Sequence, residues 1–89
     1  MRYLGLDYGS KRIGLAVSDE RGKIAFPHAI IPNTSTAGVL QKLQSLIKNE
    51  KIDKVIVGLP IPFSGRENQQ TREVKIFAEK LKKKIPNKE

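Results

Sequence analysis

Asp7 stands in the run "YLGLDYGSKR", where one carboxylate follows a series of apolar residues and is itself followed by Gly9, Lys11 and Arg12. Such a carboxylate holds the hard divalent cations that stabilise charge on a phosphodiester, position a water and stabilise a leaving oxygen. Lys11 and Arg12 can contact a flanking phosphate, and Gly9 lets backbone approach closely. The same Asp-x-Gly spacing also suits an aspartate that caps its own turn by accepting hydrogen bonds from nearby amides.

Other residues with chemistry carry competing structural readings. Asp19 lies in "DERGK", a turn sequence, so turn capping outweighs metal binding there. Glu67 and Glu73 fit a capping-box partner and a surface ion-pair member on a helix. Thr71 and Arg72 can face a cleft or lie on a solvated helix surface. His28, beside Pro27 and among apolar residues, reads as a strand residue rather than a ligand. Tyr8 and Phe63 can stack on nucleobases, although single aromatics more often serve packing.

The elements that must position these side chains follow from periodicity. Residues 2–7 and 12–18 read as strands joined by a tight turn at Gly9 and Ser10. A second turn at residues 19–23, with Gly22 suited to positive φ, leads into a third strand over residues 24–31. Pro27 and Pro32 place that strand at a sheet edge. Val39, Leu40, Leu43, Leu46 and Ile47 recur at helical spacing behind the cap candidates Thr34, Ser35 and Thr36. The run "DKVIVGLP", residues 53–60, predicts a strand buried on both faces beside parallel neighbours. "SGRE", residues 64–67, reads as a capping box for a second helix with an apolar stripe of Val74, Phe77, Ala78, Leu81 and Ile85, ended by Pro86. If the fourth strand lies parallel to the first, Asp7 and residues 58–65 meet at one end of the sheet, the usual ligand position in open α/β sheets.

Composition bounds the function classes. A chain of 89 residues with 38% apolar content forms one small domain with a modest core and excludes a two-domain enzyme. With no cysteine, disulfides and thiolate metal sites are excluded, in agreement with a reducing cytoplasm. No stretch approaches the roughly 18 apolar residues of a membrane span, and the N-terminus lacks the pattern of a secretion signal. Seventeen Lys and Arg against nine Asp and Glu give a net charge of +8, which favours polyanions through phosphate contacts and counterion release. The lysine-rich stretch after Glu79 reads as a solvated helix end that complements the helix dipole.

"LGLDYGSKRIGLAVSD" and "VIVGLPIPFSGRENQQTREVKIFAEKL" together resemble the two N-terminal motifs of the YqgF family, RNase H-like proteins described as Holliday junction resolvases and pre-16S rRNA nucleases. The resemblance implies an α/β fold with an RNase H-like mixed sheet: three antiparallel strands, then helix, strand and helix, in the order third, second, first, fourth strand. It implies a metal-dependent phosphodiester hydrolase that uses Mg2+ or Mn2+ and acts on structured RNA or branched DNA in the cytoplasm. The family's first-strand aspartate carries over to Asp7 as catalytic and metal-binding residue, with Gly9, Lys11, Arg12 and Arg72 as substrate-binding candidates. The leading expectation is 5′-end processing of pre-16S rRNA during ribosome biogenesis, with junction resolution as the alternative.

Family members continue into a further strand and a final helix that supply the remaining active-site acids. Residues 1–89 are therefore expected to form one RNase H-like domain lacking these elements, in which Asp7 alone binds a metal too weakly. A non-catalytic nucleic-acid-binding module is thus a further alternative. The Asp-x-Gly turn also resembles the first phosphate loop of actin-like ATPases and sugar kinases, but those need two domains. Finally, an apolar fourth strand at the sheet margin predicts self-association, with a homodimer as one outcome.

Overall fold

A computed structural model describes residues 1–58 and 68–85. Strands β1 (Tyr3–Tyr8), β2 (Arg12–Ser18) and β3 (Ala25–Pro32) precede helix α1 (Thr36–Asn49), strand β4 (Lys54–Val57) and helix α2 (Gln69–Lys84). They form one four-stranded sheet in the order β3-β2-β1-β4, as expected of an RNase H-like topology. β1 runs antiparallel to β2 and parallel to β4.

The side-chain period of two divides the sheet into two unlike faces. Leu4 pairs with Val17 and Leu6 with Leu15, and all four are buried together with Ile13 and Val55. Above them lie Val39, Leu40, Leu43 and Ile47 of α1 and Val74, Phe77 and Leu81 of α2, each helix contributing the apolar stripe its spacing predicts. On the opposite face Gly5 pairs with Ala16 and Asp7 with Gly14, and Ile30 and Ile56 are 71% and 55% exposed. Among the described residues, no helix packs on this second face.

Polar contacts close the ends of the elements. The Arg2 side chain donates to the carbonyls of Ser18 (3.3 Å) and Glu50 (2.8 Å), tying the end of β2 to the end of α1. The buried Ser18 hydroxyl accepts from the Tyr3 amide at 2.7 Å and donates to the Asp19 carbonyl at 2.9 Å. Ser35 caps α1, its hydroxyl accepting from the Gly38 amide. Gly22 adopts φ 70° in the β2–β3 turn, where a Cβ would meet the Tyr3 ring at 2.5 Å.

Two expectations need correction. β4 is not buried on both faces: Val55 is buried but Ile56 is 55% exposed, because the helices cover only one side of this margin strand. The second helix starts after Asn68, whose side chain accepts from the Thr71 amide, rather than after a cap in residues 64–67, which lie with Phe63, Arg66 and Glu67 outside the described residues. Its final turn holds Lys82, Lys83 and Lys84, and Ile85 is its cap. Pro86 lies outside the described residues.

Candidate functional site

Asp7 is exposed near the end of β1, on the face that no described helix covers. Its neighbour across the ladder is Gly14, where a Cβ would lie 3.7 Å from the Asp7 Cβ, so the missing side chain leaves open space beside the carboxylate. The Gly9 amide donates to the Arg12 carbonyl at 2.9 Å and closes the β1–β2 turn. A Cβ at Gly9 would approach that carbonyl oxygen to 2.5 Å, which explains why the turn needs glycine.

The result is a pocket of about 410 Å³ lined by Asp7, Tyr8, Gly9, Arg12, Ile30 and Gln70, with Gly14 at its base. It combines one carboxylate, one guanidinium and the first turn of α2, which carries no acidic residue. That helix end bears partial positive charge and suits an anion beside Asp7. Next to it, a shallow depression of about 610 Å³ extends over the bare sheet face, floored by Gly5, Gly14 and Ala16 and flanked by Ile30 and Ile56. Gly58 also borders the depression, its amide donating to the Leu6 carbonyl at 2.9 Å, so β4 does end at the Asp7 side of the sheet.

Of the residues singled out by sequence, Asp7, Gly9 and Arg12 come together around the pocket, whereas Lys11 and Arg72 are exposed outside its lining. Thr71 is buried and its hydroxyl donates to the Asn68 side chain at 3.0 Å at the start of the helix. Tyr8 packs its ring on Phe77 with centroids 4.6 Å apart, which favours the packing role over base stacking. Glu73 accepts from Gln69 at 3.1 Å, and His28 lies exposed in β3. Asp19 accepts from the amides of Lys23 (2.9 Å) and Ile24 (3.4 Å). These bonds, that of Lys23 foremost, hold its pKa below the ordinary 3.8, in agreement with the turn role.

Sequence reasoning missed two residues here. Asn33 donates from its side chain to the Gly9 carbonyl at 2.9 Å and from its amide to the Lys11 carbonyl at 2.9 Å, bracing the turn that follows Asp7. Gln70 reaches the pocket from α2. The only signals were an Asn directly after Pro32 and a polar pair, Gln69 and Gln70, ahead of the apolar stripe.

The donor set does not complete a site for Mg2+ or Mn2+. Among the described residues no group of three or more His, Cys, Asp and Glu side chains comes together, and Asp7 is the single carboxylate of the pocket. Mg2+ takes six oxygen donors in octahedral geometry, commonly several waters with one or two carboxylates and substrate phosphates, so Asp7 alone supplies the smallest protein share of such a set.

The family model described as RuvX, Holliday junction resolvase, matches residues 1–88. The chain belongs to the RuvX family. Curated relatives named "Putative pre-16S rRNA nuclease" include proteins from a Sulfurihydrogenibium species, 49% identical over 96% of this chain, and from Anaplasma marginale, 42% identical over 93%. The chain spans 57% and 53% of the lengths of these RuvX relatives. Among solved structures, the Ppx/GppA phosphatase of Aquifex aeolicus is similar in fold, with a TM-score of 0.53 at 17% identity over 97% of this chain and 33% of that one. No described helix is long and apolar enough to cross a membrane.

Proposed function

We propose that this chain carries part of the site of a metal-dependent nuclease acting on structured nucleic acid, with 5′-end processing of pre-16S rRNA in the cytoplasm as its role. The observation that carries this reading is the placement of Asp7: exposed at a strand end, with an empty Gly14 position on one side and Gly9, Arg12 and the first turn of α2 on the other. Asp7 offers one oxygen donor for Mg2+ or Mn2+, and the remaining donors come from outside the described residues. Arg12 and the backbone at Gly9 take a phosphate next to the scissile one, while Lys11 and Arg72 contact the strand further out. The names carried by the relatives support RNA as substrate, and the family description supports a four-way DNA junction as the alternative.

A second reading, a nucleic-acid-binding module without cleavage, is favoured by the lone carboxylate and the charge of +8. Cleavage of a structured precursor RNA and of a four-way DNA junction, assayed with magnesium and then with chelator, separates the two. The nuclease reading expects cleavage that the chelator abolishes and that Asp7→Asn lowers by about two orders of magnitude or more, since it removes the charge a hard cation requires. Binding without cleavage by the unaltered sequence in a form extended to the length of its relatives, with the remaining carboxylates supplied, overturns it in favour of the module.

A further inference from the structure

The turn between Asp7 and Arg12 is fastened on both sides, and Asn33 supplies two of the fastenings. On the β1 side the Gly9 amide donates to the Arg12 carbonyl at 2.9 Å. On the β3 side Arg12 pairs with Pro32, which has no amide to give. The last rung is made by the next residue, the Asn33 amide donating to the Lys11 carbonyl at 2.9 Å. The Asn33 side chain then donates to the Gly9 carbonyl, also at 2.9 Å. A carbonyl only accepts, so the group that faces Gly9 is the side-chain nitrogen and not its oxygen.

This side chain restrains the turn residue whose backbone is otherwise freest. Gly9 is required because a Cβ would lie 2.5 Å from the Arg12 carbonyl oxygen, yet glycine leaves its own φ and ψ least constrained. The Asn33 bond removes that freedom by fixing the Gly9 carbonyl. Asn33 is itself anchored: it is half-buried and follows a proline of fixed φ. Two residues on, the Ser35 hydroxyl accepts from the Gly38 amide at 3.2 Å and starts α1. One side-chain amide thus ties the turn beside Asp7 to a helix packed on the opposite face of the sheet. Asn33 is not part of the pocket lining that Asp7, Gly9 and Arg12 share, so it acts through the turn and not on a ligand.

We infer that Asn33 is a positioning residue for the phosphate site beside Asp7: its bond to Gly9 sets the turn from which Arg12 reaches a phosphate. This rests on the reading of Arg12 as a phosphate contact. Arg12 is exposed, and its long side chain loses rotamer freedom when it engages a ligand. A fixed backbone at its root lowers that ordering cost. Release of Gly9 therefore weakens the Arg12 contact in particular, and not the general attraction of a chain with net charge +8 for a polyanion.

Anisotropy of a fluorescein-labelled RNA hairpin, titrated at several salt concentrations, tests this with the unaltered chain, Arg12→Ala, Asn33→Ala and the double variant. Asn33→Ala is expected to weaken binding about two- to tenfold, the net worth of one hydrogen bond. It should also make log binding constant against log salt less steep, by up to the ~0.7–0.9 of the one phosphate contact that Arg12→Ala removes. In the Arg12→Ala background the same change should do nothing further, because it acts only through Arg12. The circular dichroism spectrum of Asn33→Ala should match that of the unaltered chain, since the backbone rung to Lys11 remains. Ser35→Ala removes another side-chain bond to a backbone amide nearby and controls for stability. Its melting temperature should fall while its salt slope stays that of the unaltered chain. If Arg12→Ala flattens the slope and Asn33→Ala does not, or if the two effects add in the double variant, Asn33 serves only the fold; the inference then fails while the phosphate contact stands. An unchanged slope in Arg12→Ala removes the phosphate contact itself, and the inference with it.

Discussion

The two faces of the sheet are built from alternate residues of the same strands, and they have opposite chemistry. On one side Leu4, Val17 and Val55 lie in adjacent strands beneath α1 and α2; one residue further along, Gly5, Ala16 and Ile56 face the other way. The covered face carries large branched side chains; the bare face has small ones at its centre, the exposed Ile30 and Ile56 at its flanks and a single carboxylate at its end. Stability and chemistry are therefore assigned to different sides of the same backbone. Asp7 can stay exposed and charged because the residues that hold β1 in place, Leu4 and Leu6, point away from it.

The sharpest test of this division is truncation on either side. Ile13 is fully buried, so Ile13→Ala should cost about 2–5 kcal/mol through lost burial and a cavity. That is a large part of the ~5–15 kcal/mol available to a domain. Ile30, 71% exposed on the bare face, should change stability by no more than about 0.5 kcal/mol when truncated to Ala. Urea denaturation of both variants checks this; similar losses would mean that the bare face is packed.

Glycines sharpen the contrast near the site itself. Gly9→Ala forces a Cβ to within 2.5 Å of a backbone oxygen and should destabilise by about 1–3 kcal/mol, with the β1–β2 turn displaced. Gly14→Ala meets only ordinary contact at 3.7 Å, so its melting temperature should hold while nucleic-acid cleavage or binding falls, since the added methyl occupies the space beside Asp7. Thermal melts with an activity or binding assay separate the two outcomes.

Much of this arrangement was legible from the chain because the period of two in β1 and β2 and of 3.6 in the helices mark one face each. Leu4, Leu6, Ile13, Leu15 and Val17 could be assigned to one side from spacing alone, and the prolines of β3 named its margin. β4 misled because Val55, Ile56 and Val57 are all apolar: an alternation that exposes Ile56 leaves no polar mark in the sequence. The start of α2 was expected from the capping box at residues 64–67, which lie outside the described residues; the observed cap, Asn68, follows directly after them, and local chemistry alone does not rank neighbouring cap residues. Asp7 was legible as a charge at the end of an apolar run. Asn33 and Gln70 were not, since their roles depend on where β3 and α2 return in space.

Charge offers a smaller test of where nucleic acid lies. If Arg12 neutralises a phosphate beside Asp7, Arg12→Ala should lower the slope of log binding constant against log salt by about 0.7–0.9, the contribution of one phosphate contact. Lys83→Ala, in the last turn of α2 and outside the pocket lining, should leave both the binding and that slope nearly unchanged. Fluorescence anisotropy titrations at several salt concentrations measure both. Equal changes in slope would place the polyanion across the helix side as well, against a site confined to the bare face.

The weakest expected effect lies outside both faces, at Asp19, and serves as a reference for them. Its pKa is held below 3.8 in the folded chain, first by the Lys23 amide. A depressed carboxylate pKa contributes stability that is fully present above the unfolded value near 3.8 and is lost as pH falls through the lower folded value. Asn keeps an oxygen able to accept from the same amides but lacks the charge. Asp19→Asn should therefore be slightly less stable than the unaltered chain at pH 7, and the difference should close as pH falls below 3.8. Because the group is on the surface, the effect should shrink further in high salt. Urea midpoints of the pair between neutral and acidic pH measure it. A difference that persists unchanged below the folded pKa would show that Asp19 acts through packing in the β2–β3 turn and not through its charge.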